Sequence, residues 1–334
     1  MRIWFNRGYS LAPIARAMMD AEPTLDILVG VAPGRSAPSC GVGIIEEPET
    51  TSDDYLDWVR AIIDERRIDL FIPTRRRGDL LAAGLPCRVH AAAGSATLDL
   101  LEDKLAFSRA IAGMPIHLPT IGISSGEALA RHLDRLVVEA VGDVVGSVKP
   151  RHGVNGHGYW TLVRSDPMSH VMDPDKREMR FDLYLAAVRA QEQLRPLQEI
   201  VLMEHLPGPE VSFDVLAWNG RLLKGVARTK LADGRQRIAT EHHLEVEVIR
   251  LVEMFALTGV VNVQFRRANG GEWRLLEINA RPAGGVVHGE RLGAAILGDW
   301  ARLLAGTKTP DDIVRPRIDV VVESRTVMEA VSRT

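Results

Sequence analysis

The segment 260–285, VVNVQFRRANGGEWRLLEINARPAGG, constrains the fold more than any other part of the chain. It predicts two β-strands joined at Gly270-Gly271, because a two-residue hairpin loop needs positive φ at both positions and glycine allows it. Side chains alternate across a strand, so one face of this hairpin is polar and the other is apolar. The turn pairs Gln264 with Glu277 and Asn262 with Asn279 on the polar face, and the apolar face carries Val263, Phe265, Leu276 and Ile278.

The polar face of this hairpin indicates a binding function. A sheet face with one carboxylate and three amides, next to Arg281 and Gly284-Gly285, is costly to bury for structure alone. Oxygen ligands that include few carboxylates suit hard cations such as Mg²⁺, which hold phosphate oxygens. The pattern therefore predicts a metal and phosphate site at this hairpin.

Length and composition bound the remaining possibilities. The 334 residues suggest about two domains, and 46% hydrophobic with 25% charged residues is ordinary for a globular protein. A net charge of −3 gives no field that would recruit nucleic acid or an anionic membrane. No apolar run is long enough to span a bilayer, and residues 1–10 lack a signal-peptide layout. Cys40 and Cys87 lack metal-type spacing, so we expect a cytoplasmic protein without a zinc site.

Residues 1–100 alternate strand and helix patterns. The expected strands are 2–5, 25–31, 69–74 and 87–92, and the expected helices are 10–21 and 53–67. This alternation predicts a parallel sheet with right-handed crossovers. The loop FNRGYS after the first strand has one glycine, which argues against a dinucleotide site of the G-x-G-x-x-G type.

A glycine-rich loop is the second informative feature. In 144–164, two strand-like runs flank Gly153, Gly156 and Gly158, and Lys149 lies at the end of the first run. Backbone N–H groups in such a loop can hold phosphate oxygens, and a lysine adds positive charge. Taken alone, the same segment is equally consistent with a flexible surface hairpin. Helices are predicted nearby over 95–112, 125–140 and 178–199.

The segment 201–214, VLMEHLPGPEVSFD, predicts a strand, a Pro-Gly turn and a second strand. The strand edge from Glu204 to Leu206 offers backbone groups to an adenine ring, and Glu210 offers oxygens to ribose hydroxyls. A plain strand–turn–strand with exposed acids is the alternative reading. Farther along, Asn219-Gly220 predicts a hairpin between 211–218 and 221–229. A helix over 243–258 and a strand over 318–324 are also expected.

The order of these parts resembles the ATP-grasp superfamily, which includes biotin carboxylase, the D-alanine–D-alanine ligases and the large subunit of carbamoyl-phosphate synthetase. The resemblance covers about residues 1–305. It rests most on Glu277-Ile-Asn279-Ala-Arg281, while Asn262-Val-Gln264-Phe looks most like the carbamoyl-phosphate synthetase branch. It implies an α/β protein with two α+β subdomains that clamp ATP, preceded by a Rossmann-like parallel α/β domain. The implied domains are 1–95 (pre-ATP-grasp), 96–117 (connecting helix and linker), 118–202 (lid subdomain) and 203–334 (large subdomain).

The resemblance also implies roles for individual residues. The residues expected to bind ATP are Lys104, Lys149, Gly153, Gly156, Gly158, Glu204, Leu206 and Glu210. Those expected to bind two Mg²⁺ ions, with Mn²⁺ as an alternative, are Gln264, Glu277 and Asn279. Those expected to act in catalysis are Arg281, Lys149 and Arg228. Many relatives carry a carboxylate at the position of Gln264, so weaker metal affinity is expected unless ATP oxygens compensate. The segment 231–243 matches no acceptor signature.

The expected activity is that of an ATP-dependent carboxylate–amine ligase that acts through an acyl-phosphate and releases ADP and phosphate. Two alternatives remain open: a carboxylating or carbamoylating enzyme that uses bicarbonate through carboxyphosphate, and an ATP-binding regulator without turnover. The intact set of Lys104, Lys149, Glu277, Asn279 and Arg281 argues against the regulator. The expected partners are a small-molecule carboxylate and amine, with no nucleic acid or membrane. The sequence leaves the oligomeric state open, and the resemblance suggests a homodimer.

Overall fold

A computed structural model describes residues 1–8, 10–34, 41–140, 142–153 and 156–323. The chain begins with a five-stranded sheet in the order β3-β2-β1-β4-β5, in which all the pairings are parallel. The strands are β1 (Arg2–Phe5), β2 (Asp26–Val31), β3 (Gly43–Glu46), β4 (Leu70–Ile72) and β5 (Arg88–Val89). The helices are α1 (Leu11–Ala21), α2 (Tyr55–Arg66) and α3 (Arg77–Ala82). The predicted parallel α/β arrangement is confirmed.

Both faces of this parallel sheet are buried, which explains its apolar strands. Ile3 and Phe5 of β1 pack with Ile14 of α1 in one core cluster. Trp4, which points to the other face, packs with Val59 of α2 in a second cluster. The carboxyl ends of the strands are thereby fixed along one edge of the sheet.

The predicted single helix over 95–112 is wrong, because Asp103 divides it into α4 (Ser95–Glu102) and α5 (Lys104–Ala110). Asp103 is extended, with φ −92° and ψ 100°, and its side chain accepts hydrogen bonds from the backbone N–H groups of Leu105 and Ala106. An N-cap of this kind starts a new helix even though the apolar periodicity continues. Lys104 consequently becomes the first residue of α5.

A second sheet of five strands follows in the order β6-β10-β7-β8-β9. Its strands are β6 (Thr120–Ile123), β7 (Val144–Pro150), β8 (Trp160–Val163), β9 (Glu178–Arg180) and β10 (Ile200–Met203). Its helices are α6 (Gly126–Glu139), α7 (Ser169–Met172) and α8 (Phe181–Glu192). The predicted helix over 178–199 is wrong at both ends. Its first three residues form β9, which pairs in parallel with the preceding strand β8, and local periodicity cannot reveal such a pairing.

The two faces of this second sheet differ in character. Val148, Leu162 and Leu202 pack with the α6 residue Leu129 in a closed apolar cluster. The opposite face carries Lys149, because neighbouring residues of a strand point to opposite sides. We call the side that carries Lys149 the lysine face.

The third sheet has six strands in the order β15-β14-β11-β12-β13-β16. Its strands are β11 (Glu210–Trp218), β12 (Arg221–Lys230), β13 (Gln236–Ala239), β14 (Gly259–Arg267), β15 (Trp273–Asn279) and β16 (Asp319–Val322). Its helices are α9 (Glu245–Met254), α10 (Val286–Arg291) and α11 (Ile296–Ala305). The strand predicted over 318–324 is confirmed as β16, and its last predicted residue, Ser324, lies outside the described residues.

The two glycine turns of this sheet behave differently. The predicted Asn219-Gly220 hairpin is confirmed, with φ 49° and 79° at its two turn residues. At the other turn, only Gly271 has positive φ, at 93°. Ala268 N donates to Glu272 O at 2.8 Å and Gly271 N donates to Ala268 O at 3.1 Å, which makes a three-residue loop. The two-residue turn at Gly270-Gly271 is therefore wrong, and the pairing of Gln264 with Glu277 inferred from it stays a prediction.

The chain divides into two compact units. Unit 1 comprises the described residues of Met1–Leu98, Pro209–Gln264 and Ile278–Thr334, and unit 2 comprises those of Asp99–Gly208 and Phe265–Glu277. Within the described ranges, no helix is both long enough and apolar enough to cross a membrane.

Candidate active site

Two lysines of unit 2 line one small cavity. Lys149 belongs to β7 and Lys104 begins α5, and they share a cavity of about 10 Å³ with apolar side chains that include Phe107 and Met203. Burial, opposed by the carboxylate of Glu277 and aided by the charge of Lys104, lowers the pKa of Lys149 to about 8. Burial likewise lowers the pKa of Lys104, again opposed by Glu277. Two desolvated ammonium groups near one carboxylate leave a net positive charge, which a bound anion would stabilise.

Lys104 also holds the beginning of the glycine loop. Its Nζ donates to the carbonyl oxygen of Gly153 at 2.9 Å and to that of Arg151 at 3.3 Å. The loop joins β7 to β8, as predicted, and its glycines have φ of 154° at Gly153, 66° at Gly156 and 71° at Gly158. These angles favour glycine, so the loop depends on all three.

A part-buried ion network that sequence reasoning missed anchors the base of this loop. The Arg151 guanidinium donates to Asp103 through Nε at 2.7 Å and through Nη2, and to Glu199 at 2.5 Å. Hydrogen bonding from Arg151 lowers the pKa of Asp103 to about 2. The partners lie 48 residues apart in sequence, and no local pattern points to the contact. Arg151 thus fixes the end of β7 just beyond Lys149.

The predicted adenine-contact residues occupy the end of β10 and the turn after it. Leu206 is buried among Leu105, Leu118 and Val201, while Glu204 is exposed. Glu204 lines a cavity of about 660 Å³ together with Leu136 of α6, Leu202 and His205. The roles of Glu204 and of the Leu206 backbone in holding adenine stay predictions.

In unit 1, the predicted catalytic residue Arg228 is held by a carboxylate that sequence reasoning missed. Its guanidinium donates to Asp214 at 2.6 Å and 3.2 Å, and both side chains are at least nine-tenths buried. Arg228 also packs against Gly285, where a Cβ atom would come within 2.4 Å of Nη1. An acidic residue inside the apolar strand VSFDVLAW was the available signal for Asp214.

The same carboxylate connects to the predicted metal ligands of β14. Asn262, which is fully buried, donates to Asp214 Oδ1 at 3.0 Å and to the carbonyl oxygen of Phe213 at 3.1 Å. Gln264 donates Nε2 to Asn262 Oδ1 at 2.9 Å. Asn262 is thus a supporting residue. Because Nε2 of Gln264 donates to Asn262, Oε1 is the atom of Gln264 that can bind a cation.

The remaining predicted ligands lie on β15. Glu277 and Asn279 are both half-buried and stand two positions apart, so they point to the same side of the strand. Glu277 belongs to unit 2, and Gln264 and Asn279 belong to unit 1. Among the described residues, no three His, Cys, Asp or Glu side chains cluster as a metal site.

Two further predicted residues, Arg281 and Glu210, lie in unit 1 with the nearby His288. Arg281 donates to the carbonyl oxygen of Pro282 at 3.2 Å and lines a cavity of about 10 Å³ with Thr74 and His90. Glu210 forms an ion pair with Lys230 at 2.7 Å. His288 on α10 has a pKa lowered by burial and then by Arg228.

Known proteins resemble this chain in sequence over part of its length and in fold over most of it. Residues 196–333 match the family model described as "ATP-grasp in the biosynthetic pathway with Ter operon". A biotin carboxylase–β,γ-ATP complex from Campylobacter jejuni superposes with a TM-score of 0.65 at 14% identity, covering 94% of this chain and 73% of that one. The chain has the ATP-grasp fold. Its predicted resemblance to that superfamily is confirmed, and the closer likeness to the carbamoyl-phosphate synthetase branch stays a prediction.

Two other structures share this ATP-grasp fold. An L-amino acid ligase from Bacillus licheniformis superposes with a TM-score of 0.59 at 15% identity, covering 94% of this chain and 77% of that one. The biotin carboxylase domain of the Hydrogenobacter thermophilus 2-oxoglutarate carboxylase, in complex with MgADP, ADP and bicarbonate, gives 0.59 at 16% identity, covering 91% and 69%. No significantly similar sequence was found among curated proteins.

Proposed function

We propose that this protein is an ADP-forming ligase that joins a small-molecule carboxylate to an amine through an acyl-phosphate. The observation that carries the proposal is the cavity shared by Lys104 and Lys149, at the base of a glycine loop that Lys104 itself holds. Desolvated ammonium groups gain more from a bound polyphosphate than exposed ones do, because little water screens the attraction. Enzymes of this fold supply the precedent, since the L-amino acid ligase has the same architecture.

The donor set fits magnesium. Gln264, Glu277 and Asn279 offer one carboxylate and two amide oxygens, which are hard ligands. A set with a single carboxylate would hold the ion mainly together with phosphate oxygens, as Mg²⁺ prefers. We propose two ions, with Mn²⁺ as a substitute; when bound, they neutralise charge on the phosphates.

Two arginine side chains of unit 1 are the proposed partners of the organic acid and of the transferred phosphoryl group. Arg228 is held in a fixed orientation by Asp214, and a planar guanidinium matches a carboxylate or an acyl-phosphate in two hydrogen bonds. We propose that Arg228 orients the substrate carboxylate and that Arg281 stabilises the negative charge of the transferred phosphoryl group.

The proposed reaction has two steps. A carboxylate oxygen attacks the γ-phosphorus of ATP, the bond from that phosphorus to the β–γ bridging oxygen breaks, and ADP leaves. The amine nitrogen then attacks the acyl carbon, phosphate departs with the C–O bonding electrons, and the nitrogen gives up one proton to form an amide. The protein contributes positioning, charge neutralisation and exclusion of water.

The test is a substrate panel. The protein is incubated with ATP, Mg²⁺ and paired carboxylates and amines, including amino acids, and ADP and phosphate are measured. ADP release that requires both a carboxylate and an amine supports ligation. Nucleotide binding without release across the whole panel contradicts it and favours a regulator.

A second candidate reaction uses bicarbonate as the carboxylate, through carboxyphosphate. Its support is the fold shared with two biotin carboxylase structures, one of which was determined with bicarbonate. The same panel separates the two functions, since bicarbonate alone would then sustain ADP release without an organic acid.

A further inference from the structure

A chain of polar side chains crosses the lysine face of the second sheet. Ser147 lies two positions before Lys149 on β7 and pairs with Thr161 on β8. The Oγ of Ser147 lies 3.0 Å from the hydroxyl of Tyr159, and that hydroxyl lies 3.2 Å from Oγ1 of Thr161. At the other end, Ser147 Oγ lies 3.2 Å from Nδ1 of His205. Ser147 and Thr161 are almost completely buried.

The direction of this chain follows from the cost of burying a donor. If Nδ1 of His205 donated to Ser147, the three contacts of the run would have to hold four protons, and one hydroxyl proton would have no acceptor among the described residues. A buried donor without an acceptor is the more costly arrangement. Donation therefore runs from Thr161 through Tyr159 and Ser147 to Nδ1, and the ring proton of His205 resides on Nε2.

The position of His205 places its Nε2–H group beside the predicted adenine contacts. Burial, aided by Arg266, lowers the pKa of His205, which favours the neutral imidazole. In the sequence, His205 lies between Glu204 and Leu206, the predicted adenine contacts. Its Nδ1 contacts Ser147, which lies on the lysine face. Within the described part of the chain, no residue hydrogen-bonds its Nε2.

We propose that His205 reads the nucleotide base: its Nε2–H donates to a ring nitrogen of the adenine, and the hydroxyl chain fixes the tautomer that makes this possible. This inference rests on the proposed function. It assigns His205 as a specificity-determining residue, with Ser147 and Tyr159 as positioning residues.

The test measures the affinity of wild type and His205→Ala for ATP and for three analogues, 1-deaza-, 3-deaza- and 7-deaza-ATP, in which carbon replaces one ring nitrogen. One analogue should bind wild type about tenfold more weakly than ATP, and His205→Ala should bind that analogue and ATP equally. His243→Ala, which alters an exposed histidine just before α9 and outside the glycine loop, should retain the wild-type pattern. Equal binding of all four nucleotides by wild type, or the same discrimination in His205→Ala, would overturn the inference.

Two further measurements keep the inference testable if His205→Ala fails to fold. Nitrogen-15 chemical shifts of His205 in the full-length wild type should report the Nε2–H tautomer, and the Nδ1–H tautomer would contradict the hydroxyl chain. Ser147→Ala should weaken the discrimination between analogues without abolishing ATP binding. A wild type that binds no ATP refutes the proposed function and the inference with it, whereas ATP binding without discrimination refutes the inference alone.

Discussion

At the residue scale, the sharpest prediction concerns the ammonium group of Lys149. Replacing Lys149 with alanine removes a desolvated charge that would bind phosphate oxygens, and charged hydrogen bonds contribute roughly 1.5–3 kcal/mol. We expect MgATP affinity measured by calorimetry to fall roughly tenfold to a hundredfold, the equivalent of that free energy. Lys176→Ala, which removes an exposed lysine of the same unit, is the matched control and should bind as wild type does. Unchanged affinity in Lys149→Ala would contradict the phosphate assignment.

The buried ion pair of Asp214 and Arg228 makes a second prediction at this scale. Asp214→Ala leaves a buried guanidinium without its carboxylate, and we expect the free energy of unfolding to fall by roughly 3–5 kcal/mol in denaturant titrations. Asp214→Leu combined with Arg228→Leu removes both charges, so this double variant should recover much of the stability while losing ligase activity. A single variant as stable as wild type would show that the pair does not hold Arg228.

At the element scale, the start of α10 is packed against Arg228. Gly285 has φ −75°, which any residue adopts, so its constraint is space alone. The Cβ atom of Gly285→Ala would displace the guanidinium from Asp214, and we expect KM for the carboxylate substrate to rise and thermal stability to fall. Gly94→Ala, at a glycine with open space around its Cβ position, is the control. Unaltered kinetics in Gly285→Ala would remove Arg228 from the substrate site.

The carboxyl edge of the parallel sheet carries a pH-dependent element. Glu47, just beyond β3, is fully buried, and it accepts hydrogen bonds from Tyr55 at 2.5 Å and from the backbone of Arg7 at 2.6 Å. Burial raises its pKa from 4.5 to about 7. A raised folded-state pKa contributes stability that is fully present below pH 4.5 and is lost as pH rises through 7.

The matching experiment compares denaturant unfolding of wild type and Glu47→Gln across that pH range. The wild type should lose up to about 3 kcal/mol relative to Glu47→Gln, which keeps an uncharged acceptor for Tyr55. Parallel pH profiles for the two proteins would show that Glu47 titrates normally.

At the scale of the whole molecule, the sequence predicted the fold through features that are local. The Asn219-Gly220 hairpin, the alternation of 1–100 and the glycine loop each depend on neighbours in sequence, and the structure has all three. Contacts between distant segments were beyond such reasoning. Arg151 contacts Asp103 across 48 residues, and the edge strand β9 lies in a segment whose periodicity predicts a helix. Of the candidate site, the sequence suggested the ligands and lysines but missed Asp214, Arg151 and the hydroxyl chain to His205.

The most direct test of the whole account traps the acyl-phosphate. The wild-type protein is incubated with ATP, Mg²⁺, a carboxylate panel and hydroxylamine, and hydroxamate and ADP are both quantified. We expect at least one carboxylate to yield hydroxamate and ADP in equal amounts, and Glu277→Ala to yield neither. Equal and undiminished yields from Glu277→Ala, or ADP release that never produces hydroxamate with any carboxylate, would contradict the account.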